Sequence, residues 1–336
     1  CMREGARGFS TGWYPPAYWA ETSEIIELSK VVAKYGGIYT THLRSHPYWV
    51  EEAFKVGEEA GIPVEIAHYD GRGVQEARTR GIDVTYDAYC YTAGSSLLGQ
   101  VLPPWTYEGG VEAMLERLRD EKVRERVREE LKKQMAATGF PDWRLAVIAF
   151  LPNEKYKKYE GMNIEEVARS ERSDPVDVVC DLLSENDGLG MYVYMNGRKE
   201  SYIFNNLKNP YNYVMSDGWG LAPYEPIQRG KPHPRCYGNF PRLLGWYVRE
   251  CGAVTLQEAI RKISWGPAQK MGLADRGLLR EGMWADITVF DPGKVMDTAT
   301  YSDPHKYPVG IEYVLVNGRV VVERGKHTGV RAGKIL

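Results

Sequence analysis

The sequence predicts an α/β fold built on a parallel barrel and continued by a small β-domain, and three observations carry that expectation. Two successive strand-like runs, GGIYTTHLR and IPVEIAHYD, end in His42 and His68 with a helical stretch between them. A later run of the same kind, NYVMSDG, ends in Asp217. The last quarter then changes to short β-runs joined by tight turns. Strand, helix, strand is the repeating unit of a parallel barrel, in which groups at the C-terminal strand ends converge on one pocket.

In chain order, MREGARGFSTG reads as a helix end entering a strand. SEIIELSKVVAKYG has apolar residues at helical spacing, with Thr22 and Ser23 as candidate caps and Gly36-Gly37 as a stop. GIYTTHLR follows as a strand, VEEAFKVGEEAG as an amphipathic helix closed by Gly61, and IPVEIAHY as a β-rich run of the kind buried between helices. IDVTYDAYCYTAGS is a further strand running into a Gly/Ser-rich loop before the Pro103-Pro104-Trp105 turn. The rhythm then breaks. Residues 108–140 read as a highly charged helix pair, an excursion expected to cover the pocket as a lid. WRLAVIAFLP, LGMYVYMNG and YNYVMSDG are read as completing the parallel series, with DPVDVVCDLLSEN as a helix among them. LQEAIRKISWGPAQKMGL is a helix with a Gly-Pro break, which assigns residues 1–272 to the barrel and 273–336 to the β-domain. There, Asn317-Gly318 between two Val-rich segments signals a hairpin.

With 336 residues, 43% of them hydrophobic, the chain can bury a large core and still carry an appendage. A formal net charge of −2 argues against a surface built for nucleic acid or anionic membrane and points to a small-molecule partner. No apolar run reaches the roughly 18 residues that span a bilayer, and the first residues carry no signal-peptide pattern. The five cysteines (Cys1, Cys90, Cys180, Cys236, Cys251) lack paired metal spacing, which favours a reducing, cytoplasmic setting.

A neutral imidazole suits zinc, and a carboxylate beside bound zinc can take the proton of metal-acidified water. His42, His68 and Asp217 therefore form a candidate hydrolytic set. Plainer readings exist for each: a buried histidine can bond a backbone carbonyl, and Ser216-Asp217-Gly218 is a turn signature. His46 precedes Pro47 in a loop, His233 sits beside Arg235, and His305 and His327 fall in the β-domain.

The stretches GARGFSTGWYPP, GGIYTTHLR, IPVEIAHY, DVTYDAYCYTAGSSLLGQVLPPW, MSDGWG, HPRCYGNFPRLLGWYVRE and GLLREGMWADITVFDP together resemble the N-acyl-D-amino-acid deacylase (D-aminoacylase) family of the amidohydrolase superfamily. They follow in order over nearly the whole chain, as the C-terminal two-thirds of such a protein. The resemblance implies a (β/α)8 barrel with a small β-sandwich assembled from both chain ends, and zinc-dependent cleavage of an amide C–N bond. Carried over by motif, His42 and His68 match zinc ligands and Asp217 the catalytic acid/base. Arg235 matches a contact to the substrate carboxylate, while Tyr14, Tyr89 and Ser95 sit where the family lines its substrate pocket. The implied cofactor is zinc, as one or two ions.

Two departures qualify the transfer. The family's His-x-His pair and Cys ligand are absent, and His42 with His68 alone would under-coordinate zinc. The resemblance therefore implies a barrel incomplete in this chain, with an N-terminal companion polypeptide, a separate subunit or the other product of cleavage before Cys1, supplying strands and ligands. Second, the family places a carboxylate-binding Lys shortly after the second zinc histidine, where this chain has Asp70. Amide hydrolysis is thus the firmer expectation and the N-acyl-D-amino acid the finer one. A hydrolase of cyclic amides, imides or formamides, and a non-catalytic subunit or degenerate barrel, remain as alternatives.

Overall fold

A computed structural model describes residues 1–13, 17–44 and 49–335. Strands β1 (Gly8–Thr11), β2 (Ile38–Thr41), β3 (Val64–Ile66) and β4 (Val84–Ala88) pair side by side, all parallel. Helices at Thr22–Ala33, Trp49–Ala60 and Val74–Thr79 connect them. After β4 the chain leaves this sheet. β5 (Gly94–Leu97), β6 (Ala146–Phe150) and β7 (Met191–Tyr194) form a separate antiparallel sheet with β7 in the middle. β8 (Asn212–Val214) then returns to pair parallel with β4, giving the order β1-β2-β3-β4-β8.

Register explains which side of the parallel sheet is core. Tyr39, Val64 and Val84 lie in one row, Ile66 and Tyr86 in another, and this face packs on Ile25, Ile26, Phe54, Val56 and Val74 from the connecting helices. The alternate row, Ser10, Thr40, Glu65 and Thr85, is polar. Strands covered by helices on both faces would read as continuous apolar runs, so this alternation marks the second face as different in kind. Among the described residues, the expected barrel is an open sheet of five parallel strands.

The expectation that 146–150 and 191–194 continue the parallel series is corrected: β7 pairs antiparallel with both β5 and β6. A short apolar run reads the same in either sheet type, so periodicity could not separate them. The charged helix pair lies where expected, at Val111–Arg117 and Glu121–Thr138, the second capped by Asp120 at one end and Gly139 (φ 76°) at the other. It belongs to a larger unit. Leu98, Met114, Leu118, Val127, Leu131, Ile148, Val179 and Leu183 form one buried cluster, and Arg124 and Arg128 tie the long helix to Asp181 and Asp177.

Towards the C-terminus, a helix over residues 235–250 contains Pro241 and widens to i→i+5 spacing after it. Its Gly245 packs so tightly that a Cβ would fall 2.3 Å from the Val295 carbonyl oxygen. β9 (Ile287–Phe290), β10 (Ile311–Val316), β11 (Arg319–Glu323) and β12 (Lys326–His327) make a four-stranded antiparallel sheet, the described part of the expected β-domain. Asn317 (φ 49°) and Gly318 (φ 76°) form the predicted tight turn between β10 and β11, where positive φ at both positions matches the strand twist. No helix among the described residues is long and apolar enough to cross a membrane.

Candidate active site

His42 directly follows β2. Its N–H donates to the Thr11 carbonyl at 3.0 Å and its own carbonyl accepts the Trp13 indole N–H at 2.6 Å, so its backbone is held by the end of β1. His68 lies two residues beyond β3. Its N–H donates to Asp87 Oδ1 at 2.9 Å, and the Tyr202 hydroxyl donates to its carbonyl at 3.2 Å and to that of Tyr69 at 2.8 Å. Asp217 comes shortly after β8, and the buried Asn239 secures this junction. Asn239 donates to the Met215 carbonyl at 2.7 Å and accepts the Cys90 N–H at 2.8 Å, tying the ends of β8 and β4 together. His68 (φ 55°) and Asp217 (φ 46°) both adopt the left-handed backbone region, a conformation that persists only where surrounding contacts over-determine it.

The three side chains meet. The His42 and His68 ring centroids lie 5.0 Å apart, and His68 Nε2 is 3.5 Å from Asp217 Oδ2. Arg235, only 6% exposed, sets Nη2 2.5 Å from the same oxygen. Tyr89 meets the His68 ring edge-on at 5.5 Å, and the Arg235 guanidinium lies 4.5 Å from the Tyr89 ring centre. Asp217 and Arg235 line a pocket with Ser95, Met191, Trp219 and His233. The Ser95 hydroxyl donates to the Tyr192 carbonyl at 3.0 Å. The lining residues from the excursion come from its sheet, at Ser95, Ala149, Phe150 and Met191. The helix pair is occupied packing on Asp177, Asp181 and the cluster beneath. Tyr14 and His46 lie outside the described residues.

Electrostatics separate these groups. Burial, then His42, Arg198 and Arg235, push the His68 imidazole down to about 3, leaving it neutral at neutral pH. Burial raises Asp217 above the usual carboxylate range although Arg235 opposes it. Asp87, which the sequence reading passed over, is pushed up to about 7 by burial, with Asp217 adding to the rise. His68 Nδ1 is buried without a hydrogen-bond partner. A neutral imidazole, a second imidazole beside it and a carboxylate are nitrogen and oxygen donors of the kind zinc takes. Among the described residues, however, no group of three or more His, Cys, Asp or Glu side chains is arranged to hold a metal ion by itself. The residues present therefore fit part of a zinc site.

Besides Asp87, sequence reasoning missed Arg198, Tyr202 and Asn239. The one available signal was position: Asp87 stands at a strand's C-terminal end, in DVTYDAY, as His42 and His68 do. His233, treated as peripheral, is buried; its Nδ1 accepts the Arg235 N–H at 3.0 Å, fixing the residue that holds Asp217.

The profile of the amidohydrolase family matches residues 101–322. The chain belongs to this family. Within it, a D-aminoacylase of Alcaligenes xylosoxydans xylosoxydans is 33% identical over 352 residues, which take in all of this chain and 62% of that protein. A crystal structure of D-aminoacylase superposes with a TM-score of 0.76 at 32% identity, covering 99% of this chain and 63% of that one. The N-acyl-D-glutamate deacylase of Bordetella bronchiseptica, solved with zinc and a phosphonate mimic of the tetrahedral intermediate, gives 0.74 at 27% identity, covering 94% and 60%. The chain thus spans about 62% of the length of a curated amidohydrolase relative. The companion polypeptide expected from the sequence gains no support from these comparisons.

Proposed function

We propose that this chain carries the acid–base centre and part of the metal site of an amidohydrolase that cleaves the amide C–N bond of a small N-acylated substrate, in the manner of the deacylases it resembles. The observation that carries the reading is the meeting of His42, His68 and Asp217, distant in sequence, beyond the C-terminal ends of parallel strands. The five-stranded sheet is then part of a (β/α)8 barrel, for which strand-end convergence is the rule.

His42 and His68 would hold zinc, as one or two ions, with further donors from beyond the described residues. Bound there, the metal would supply Lewis acidity toward the scissile carbonyl and toward a bound water. Asp217, with Oδ2 3.5 Å from His68 Nε2, is placed to accept a proton from the attacking water and return it to the leaving nitrogen. Burial raises its proton affinity, which favours taking the water's proton, while Arg235 opposes that rise and so favours its release to the leaving nitrogen. Asp87 accepts the His68 N–H and holds that residue in its left-handed conformation. Tyr89 and Ser95 form walls for the substrate, and Arg235 offers two further buried N–H groups to an anion on it.

The test joins metal content to turnover. Zinc-loaded protein is expected to release acetate from an N-acetyl-D-amino acid, and His68→Asn to lower zinc content and turnover together. Turnover surviving in zinc-free His68→Asn would overturn the reading.

A further inference from the structure

His233 is 2% exposed, and three tyrosines enclose its ring close to edge-on, Tyr89 at 5.8 Å, Tyr91 at 5.2 Å and Tyr301 at 5.2 Å. Both ring nitrogens are engaged. Nε2 lies 3.1 Å from the carbonyl oxygen of Ala93, the residue before β5, and a carbonyl can only accept, so Nε2 carries the ring proton. Nδ1 then presents a lone pair, which accepts the Arg235 N–H at 3.0 Å. Arg235 is the first residue of its helix, where a backbone N–H finds no acceptor within the helix itself. A second ring proton would point at that N–H, so this seat admits only the neutral imidazole protonated on Nε2. Burial, and then the Arg235 charge, hold the ring well below the usual histidine range.

The group that depends on this seat is Asp217. Arg235 sets Nη2 2.5 Å from Asp217 Oδ2, and its guanidinium lies 4.5 Å from the centre of the Tyr89 ring, one of the three that enclose His233. Among the described residues, Arg235 Nε and Nη1 make no hydrogen bond. The aim of the side chain therefore depends on where its backbone is anchored and on the aromatic face beside it. His233 supplies both, since it accepts the Arg235 N–H and packs on Tyr89. Through Ala93 the same ring joins the start of the excursion's sheet to the strand-end centre.

We propose that His233 is a positioning residue for the acid–base centre: locked as the Nε2–H tautomer between Ala93 and Arg235, it fixes the backbone from which Arg235 reaches Asp217. The inference rests on the amide-hydrolysis reading, and its test pairs a kinetic with a structural readout so that the two can fail separately.

The variants are His233→Asn and His233→Gln in zinc-loaded full-length protein, with N-acetyl-D-alanine as the probe. An Asn oxygen can stand in for Nδ1 and accept the N–H two residues on, as in an Asx turn, whereas a Gln amide reaches Ala93 and leaves the Arg235 N–H without its acceptor. Both variants lose the ring contacts with the tyrosines, so both should melt below the wild type by similar amounts. kcat/KM should fall roughly 10-fold in His233→Gln, the factor one hydrogen bond is worth, and His233→Asn should recover most of that loss. Crystal structures should show Arg235 on Asp217 in His233→Asn and displaced from it in His233→Gln, and histidine-ring NMR of the wild type should find His233 protonated on Nε2 alone. Equal kinetic losses that follow the melting temperature would mark His233 as structural and overturn the proposal, as would Arg235 still held on Asp217 in His233→Gln. If the wild type leaves the probe intact, the amide-hydrolysis reading falls, and the two crystal structures still decide the positioning role: displacement in His233→Gln alone upholds it, and the same Arg235 position in both variants removes it.

Discussion

The parallel sheet and the excursion that leaves it between β4 and β8 distribute their residues in opposite ways. The sheet is two-faced: Tyr39, Val64, Ile66 and Val84 pack against helices, while Ser10, Thr40, Glu65 and Thr85 present polar atoms on the other side, the row from which Asp87 also projects. The excursion places Met114, Leu118, Ile148, Val179 and Leu183 in one apolar cluster and contributes Ser95, Ala149, Phe150 and Met191 to the pocket wall. Chemistry is thus concentrated on strand ends of the first region, and much of the burial that supports it lies in the second. Substitutions in the two should part company in what they change.

The largest effect is expected from Asp217→Asn, which should lower turnover by roughly 10³-fold, within the range typical of a lost general acid/base. Zinc content and melting temperature should stay near those of the wild type. A variant with a near-normal rate would remove Asp217 from its role. The converse is Leu183→Ala, at a fully buried position of the excursion, which should lose about 2–5 kcal/mol in denaturant unfolding as transfer and cavity terms combine. Its kcat per folded molecule should change little; a matching loss of turnover would show that the two regions are not separable.

A third measurement probes the strand that rejoins the two. Lys262 is fully buried, donates to the carbonyl of Asn212, the first residue of β8, at 2.9 Å, and is held down to about 8 by burial. Its folded value lies below the unfolded one, so the unfolded chain binds more protons between them and stability contributed at this site rises with pH. The wild type should therefore gain stability relative to Lys262→Met from about pH 8 upward, with the burial penalty fully present below that range. A flat difference across pH 7–9.5, measured by urea titration, would deny that the amine is protonated and strained in the fold. The smallest effect should come from Gly318→Ala, about 1 kcal/mol, because Gly318 holds φ 76° where a Cβ is disfavoured. Catalysis should not respond, since the turn belongs to neither region.

The contrast also explains what could be read from the chain in advance. His42, His68 and Asp217 were legible because each closes a strand-like run, and strand ends converge whatever the intervening sequence does. The β10–β11 hairpin was legible because Asn317-Gly318 encodes its own backbone shape. β6 and β7 were misplaced because AVIAF and MYVY carry no mark of their pairing direction, which tertiary contact with β5 decides. Arg198 was invisible for a related reason. In MNGRKE it reads as one charge of a solvated turn, and only the folded chain brings its guanidinium over Tyr89.

The left-handed backbone at His68 and Asp217 sets a rule for anyone who would re-engineer this centre. His, Asp and Asn are among the few side chains that adopt such a conformation at modest cost, whereas β-branched residues resist it. Ligand swaps and charge reversals at these two positions should therefore be drawn from that short list. A library that samples Val, Ile or Thr there would be discarding folded protein before any chemistry could be screened.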